Sequence, residues 1–271
     1  MYVEHPAMAL RQTLQAAPAP APRRLPRHVR RETIRLRDGA RTTLYVASHP
    51  LARTSVRVVR MPQPTPLAAW CAATGTPEAL VGGFFLRPHG SPLGELRQAG
   101  VLRRHVPFDA PWGDRRACVH VAADEMHIAR RDELPETPEG DLLQAGPLLV
   151  HRGRVACAED VEGFSAGQRQ FDSDITDGRY PRAALAVARR GRLLAVACDG
   201  RADDEAGLTM VELAEALIAL GAVQALNLDG GGSTSLVAGG QLCNVPREDH
   251  GVTLAGGRPI STALTFTTHS G

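Results

Sequence analysis

The stretch Asn227-Leu-Asp-Gly-Gly-Gly-Ser-Thr-Ser235 sets one carboxylate, three glycines and three hydroxyls side by side after an apolar run. On an extended strand Asn227 and Asp229 share one face, while Leu226 and Leu228 take the other. Buried leucines would leave the two polar groups converging at the strand's end. Gly230, Gly231 and Gly232 allow positive φ and close backbone approach, at roughly 0.5–1 kcal/mol each relative to Ala inside a regular element. Successive N–H groups in such a turn form a nest for an anion or for developing negative charge. Ser233 and Thr234 would add hydroxyl donors. For the motif taken alone, a sharp turn with Asp229 accepting local N–H groups is the competing reading.

A second acid, Asp199, lies in Cys198-Asp-Gly-Arg201 at the end of another apolar run and leads toward the segment bearing Glu212. Arg182 and Arg201 are close in sequence, and Arg258 precedes the last apolar run. Carboxylates among arginines suit leaving-group protonation, stabilisation of a cation-like centre and bidentate grip on phosphate. Each also has a plain structural role open to it: Glu212 as a helix cap, Asp199 as a turn former, each Arg as an ion-pair partner.

Other chemistries find little support. All 31 basic residues are Arg, which excludes a Schiff-base or P-loop lysine. Phe171–Gly178 clusters aspartates but lacks the glycine and terminal glutamate of a calcium loop. The ten histidines form no HExxH-like pair, so no metal is expected. Gly-Gly-Ser-Thr-Ser is not a nucleophile elbow, and no GxGxxG occurs, so no cofactor is expected.

The elements that must position these groups are mostly strands. Hairpins are expected around Asp38-Gly39, Arg152-Gly153, Arg190-Gly191 and Gly239-Gly240. Ser55–Met61, Glu78–Phe85, Arg116–Ala123 and the run after Arg258 read as further strands, and Ala129–Asp141 as a surface loop. A helix is expected at Pro66–Gly75. A second, over Leu208–Ala222, carries a Leu213, Leu217, Leu220 stripe, a Thr209/Glu212 capping box and a Gly221 stop. The fold class is α+β, with largely antiparallel strands, hairpins and a few helices in one main domain over 32–271. Residues 1–31, rich in Pro, Ala and Arg, read as a disordered arm. A 43% hydrophobic chain with 4% aromatics must build its core from Ala, Val and Leu. Five scattered cysteines read as reduced and mostly buried. A net charge of +2 gives no case for nucleic acid, no segment reaches a membrane span, and the start lacks a secretory apolar region. A cytoplasmic protein is expected.

Taken in order, Pro181–Arg201, Gly207–Val237, Asn244-Val-Pro246 and Arg258–Leu264 resemble the phosphodiester glycosidase domain, as do Val81–Gly100 and Gln144–Val155 upstream. The resemblance spans about Val81 to Phe266. It implies hydrolysis of a sugar 1-phosphodiester to free sugar and a phosphomonoester, with a small phosphorylated sugar as substrate. It also implies Asp229, Glu212 and Asp199 around the scissile bond. Arg182, Arg201, Arg258, Asn227, Gly83, Phe85 and the Gly230–Thr234 turn would bind substrate. The family pattern has Asn where this chain has Val81, which implies altered specificity or, as the alternative, a non-catalytic module binding a phosphorylated sugar or nucleotide sugar.

Overall fold

Two-residue periodicity in alanine-rich strands decides the architecture. In the computed structural model, which describes residues 24–87, 89–110, 112–123, 125–157 and 178–269, a seven-stranded antiparallel sheet forms the centre. It comprises β1 (Val29–Arg35), β2 (Arg41–Pro50), β12 (Leu148–His151), β13 (Arg154–Val155), β14 (Arg182–Ala188), β15 (Arg192–Cys198) and β16 (Ala222–Asn227), in the order β1-β2-β15-β14-β16-β12-β13. A five-stranded sheet combines β3 (Thr54–Pro66), β4 (Ala79–Val81), β17 (Leu236–Ala238), β18 (Gln241–Leu242) and β19 (Pro259–Thr268). Another is built from β7 (Leu96–Gln98), β8 (Val101–Leu102), β9 (Ala117–Ala122), β10 (Glu125–Arg130) and β11 (Asp141–Gln144). A small ribbon pairs β5 (Phe85–Leu86) with β6 (Ser91–Pro92). Helices α1 (Leu67–Thr74), α2 (Trp112–Arg115) and α3 (Met210–Ala219), with four short 3-10 turns, complete the described elements.

Alternate side chains of the central sheet enter different cores. Leu185, Ala195, Ala197 and Leu226 pack with Val58, Leu80, Val119, Leu143 and Leu264 of the two smaller sheets. Ala184, Ala186 and Val196 point the other way, onto Leu213, Ala214 and Leu217 of α3. Each buried leucine contributes on the order of 1.5–3 kcal/mol, and the small alanines let the layers approach. The stripe expected on the helix is therefore the one that buries.

The hairpins form where expected. Arg152 and Gly153, Arg190 and Gly191, and Gly239 and Gly240 all have positive φ, as the tight I′-type turn requires. α1 ends on left-handed Gly75, and α3 carries its reciprocal Thr209/Glu212 cap. All five cysteines are free, four of them buried.

Three expectations need amendment. β1 begins at Val29, which is buried, so the folded body starts inside the stretch read as arm. Ala129 and Arg130 belong to β10 rather than to the loop, because Met126 and Ile128 alternate inward along that strand. The strand over Glu78–Phe85 breaks at Gly82, where a Cβ would lie 2.5 Å from Thr262 Oγ1. The aspartate cluster before Gly178 and most of the arm fall outside the described residues. No helix among the described residues is long and apolar enough to cross a membrane.

Candidate active site

Asp229 follows β16 directly and sits where the central sheet meets β4. Its N–H donates to the Gly82 carbonyl at 3.0 Å, and the Leu228 N–H donates to Ala183 at 2.9 Å. Both leucines beside it enter the core, as alternation requires, which turns the Asp229 carboxylate toward the surface, where it is half-buried. Burial pushes its pKa up to about 6, against the opposing pull of Ser233, Arg258, the Gly230 N–H and Arg87. The Ser233 hydroxyl lies near enough to act on this carboxylate but does not meet the geometry of a direct hydrogen bond.

The glycines solve a packing problem. A Cβ on Gly230 would lie 2.8 Å from the Pro181 carbonyl oxygen, and one on Gly232 would lie 2.7 Å from Glu248 Oε1. Gly231, at φ +60°, has Arg201 Nη1 3.1 Å from its Cβ position. The turn's donors are also engaged internally. Gly230 N–H donates to Asp229 Oδ1 at 2.9 Å, Gly231 N–H to Pro181, Ser233 N–H to Gly230 and Thr234 N–H to Gly231. The expected phosphate nest is largely filled, since the N–H groups of Gly230, Gly231, Ser233 and Thr234 are engaged within the protein.

Arginines and acids surround the turn. Arg258 grips Glu248 through Nε at 2.7 Å and through Nη2, and its own N–H holds the Gly232 carbonyl. Arg201 pairs with Asp249 at 2.6 Å and approaches Glu248 at 3.9 Å. These guanidiniums, with Arg87, hold the Glu248 carboxyl below its usual range. Arg201 adopts φ +59°, a conformation unusual outside glycine that aims its side chain over Tyr180 at 5.4 Å. Exposed Arg87 acts electrostatically on both Asp229 and Glu248 and has no salt-bridge partner among the described residues.

The three carboxylates expected around one bond occupy three different hydrogen-bond networks. Asp199 is 3% exposed and accepts the Val245 N–H at 2.8 Å. Burial raises its pKa to about 6, with Glu205 adding to the rise and Tyr45 and Arg247 opposing it. Glu212 accepts the Thr209 N–H at 2.9 Å and clasps Arg179 at 2.6 Å, contacts that hold its pKa down against desolvation. Arg182 is buried, donating Nε to Leu208 at 2.5 Å and Nη2 to Gly178 at 3.1 Å beneath the Tyr180 ring. Its role in this geometry is to brace the wall carrying Tyr180.

Asn227 does not converge with Asp229 on an open face. It is 2% exposed, donates to the Leu228 carbonyl at 2.8 Å, and Gly146 packs against it. Gly83 N–H donates to Thr262 Oγ1 at 3.0 Å, while Phe85 packs, partly exposed, against the core. Val81 is fully buried in that core, so its side chain serves packing. Asn227 Oδ1 and the hydroxyls of Ser233, Thr234 and Ser235 are buried with no hydrogen-bond partner among the described residues. Such a concentration of unsatisfied polar atoms marks a functional region more often than a plain core. The sequence reading missed Glu248, Tyr180 and Arg87. Their only signal was position, between or beside the recognised motifs.

Comparison with known proteins identifies the family. The phosphodiester glycosidase family model matches residues 74–267. Human N-acetylglucosamine-1-phosphodiester alpha-N-acetylglucosaminidase is 39% identical over 174 residues, covering 62% of this chain and 33% of that protein. The mouse enzyme of that name is 30% identical, with the same coverage. The chain thus spans about a third of the length of the curated relatives it matches. The zebrafish catalytic domain of that name, auto-inhibited by its pro-peptide, superposes with a TM-score of 0.66 at 22% identity, covering 90% of this chain and 82% of that one. A hypothetical protein from Synechocystis gives 0.62 at 20% identity, covering 89% and 62%. These two likenesses speak to the fold, whereas the family model spans most of the sequence itself. The chain belongs to the phosphodiester glycosidase family.

Proposed function

We propose that this protein hydrolyses the anomeric bond of a sugar 1-phosphodiester, with Asp229 at the reacting centre. The observation carrying this reading is a half-buried carboxylate at the arginine-lined turn, its pKa raised to about 6, on which exposed Arg87, without a salt-bridge partner among the described residues, acts electrostatically. A substrate phosphodiester carries one negative charge, which Arg87 meets at the rim. Arg258, held in place by Glu248, acts on Asp229 electrostatically from within the turn.

In the reaction the C1–O bond breaks, and its electron pair stays on the phosphate oxygen. Phosphate is a good leaving group, so little protonation is needed there. The ionised Asp229 stabilises positive charge at C1 and takes a proton from the attacking water, whose hydroxyl joins C1. The proton then passes to solvent, leaving free sugar and a phosphomonoester. Asp199 acts as a positioning residue by fixing Val245, and Glu212 by fixing the start of α3. An intracellular setting and a role in metabolite assembly are part of this proposal, motivated by Val81 standing where the family pattern has Asn.

The test is a panel of sugar 1-phosphodiesters assayed for phosphomonoester release. Asp229→Asn should lower kcat by roughly 10²–10⁴-fold with the fold intact by circular dichroism. Wild type inert on the whole panel, or an equally active Asp229→Asn variant, would sink the reading.

A further inference from the structure

Three side chains remote in sequence meet at the far end of β2 from Asp199. His28 precedes β1, His49 lies near the end of β2, and Glu78 leads into β4. One ligand atom from each lies within 4.8 Å of the others. His28 Nε2 and Glu78 Oε2 are 3.0 Å apart. His49 is 4% exposed, and its Nε2 has no hydrogen-bond partner among the described residues. Buried polar groups are otherwise almost always satisfied, so this nitrogen asks for a ligand.

We infer that His28, His49 and Glu78 bind one borderline divalent transition-metal ion, Zn²⁺ foremost, as a structural clip between the central sheet and the β4 sheet. Two imidazoles and one carboxylate are a known zinc donor set with a fourth position left for water. Mg²⁺ and Ca²⁺ prefer all-oxygen shells and fit it poorly. Tetrahedral zinc with bonds of about 2.0–2.1 Å sets its ligand atoms about 3.3 Å apart. The His28–Glu78 edge is already near that length. The widest separation, no more than 4.8 Å, has to contract by at most about 1.5 Å.

The surroundings hold the ligands in place. Glu78 Oε1 accepts the Gly239 N–H at 2.9 Å. The His49 ring stacks on Phe266 with centroids 5.3 Å apart, and Thr268 Oγ1 lies 3.5 Å from its Nδ1. Such outer contacts orient metal ligands. Arg192 is turned away onto Ser48, donating at 3.0 Å and 2.7 Å. Leu44 pairs with Cys198 beside Asp199, and His49 lies five residues further along β2, about 17 Å away. Glu78 stands four residues before Gly82, whose carbonyl accepts the Asp229 N–H, so the ion sits roughly 13 Å along the strand from the reacting centre, and its task is cohesion.

The experiment titrates Zn²⁺ into the chelator-stripped full chain by calorimetry, with Tm followed in parallel and Mg²⁺ as control. One ion per chain is expected, with a Tm rise under Zn²⁺ and none under Mg²⁺. His28→Gln, at a half-exposed position that tolerates change, and His49→Ala should each weaken binding by at least ~10-fold. No stoichiometric Zn²⁺ binding would overturn the inference. Equal binding by wild type and His28→Gln would do the same, leaving His28–Glu78 an ordinary ion pair.

Discussion

Asp229 carries a conflict between stability and chemistry. Its carboxyl has a pKa of about 6 when folded against 3.8 as a model group, because burial disfavours the charge. The folded state therefore binds the proton more tightly, and stability falls as pH rises from about 4 to 6. Asp229→Asn should raise Tm at pH 8 by roughly 2–8 °C, after discounting for partial exposure, and should change little at pH 4. Activity runs the opposite way. kcat/KM should rise between pH 5 and 7 along a limb with an apparent pKa near 6. Asp199 has a similarly raised pKa, so Asp199→Asn is the control: the limb should persist, and its disappearance would assign it to Asp199 instead. Arg87 is the other residue whose role is directly measurable. A charge-assisted hydrogen bond to a phosphodiester is worth about 1.5–3 kcal/mol, so Arg87→Ala should raise KM roughly 10–100-fold with a much smaller effect on kcat. An unchanged KM would remove Arg87 from the substrate site.

At the scale of elements, α3 and the Gly230–Ser233 turn do different work from what their motifs suggest. Thr209 and Glu212 close the helix start, and Arg179 braces Glu212 from outside. Thr209→Ala should cost about 1 kcal/mol in denaturant unfolding while leaving kcat within a few-fold. A large loss of kcat at unchanged stability would return this helix start to the chemistry. Much of the fold was legible from local rules: the paired positive-φ turns, the capping box and the leucine stripe of α3 all depend on residues adjacent in sequence. The break at Gly82 and the start of β1 at Val29 depend on contacts with distant strands, and sequence periodicity does not register those. The same division holds at the site. Asp229 was legible as a carboxylate ending an apolar strand. The different hydrogen-bond networks of Asp199 and Glu212 were not, because those acids follow β15 and open α3, where their partners come from other segments.

At the scale of the whole molecule, the site is a seam. Asp229 N–H holds β4 through Gly82, Gly231 holds Pro181 before β14, and the Gly232 carbonyl holds Arg258 before β19. Gly230→Ala would place a methyl 2.8 Å from the Pro181 oxygen, a backbone atom with little freedom to retreat. It should destabilise the protein by about 1–3 kcal/mol, seen as a lower Tm with or without substrate. A variant as stable as wild type would show that the seam can open cheaply.

The crowding around those three glycines also bears on how the motif should be interpreted in other chains. Each glycine answers a different constraint: the Pro181 carbonyl at Gly230, a positive φ at Gly231, and the Glu248 and Leu254 side chains at Gly232. A descendant chain that lost the acid at position 229 would face the same three steric demands. A search keyed to the glycine run therefore recovers the scaffold, and it is Asp229 and Arg87 that should be inspected before any descendant is credited with catalysis.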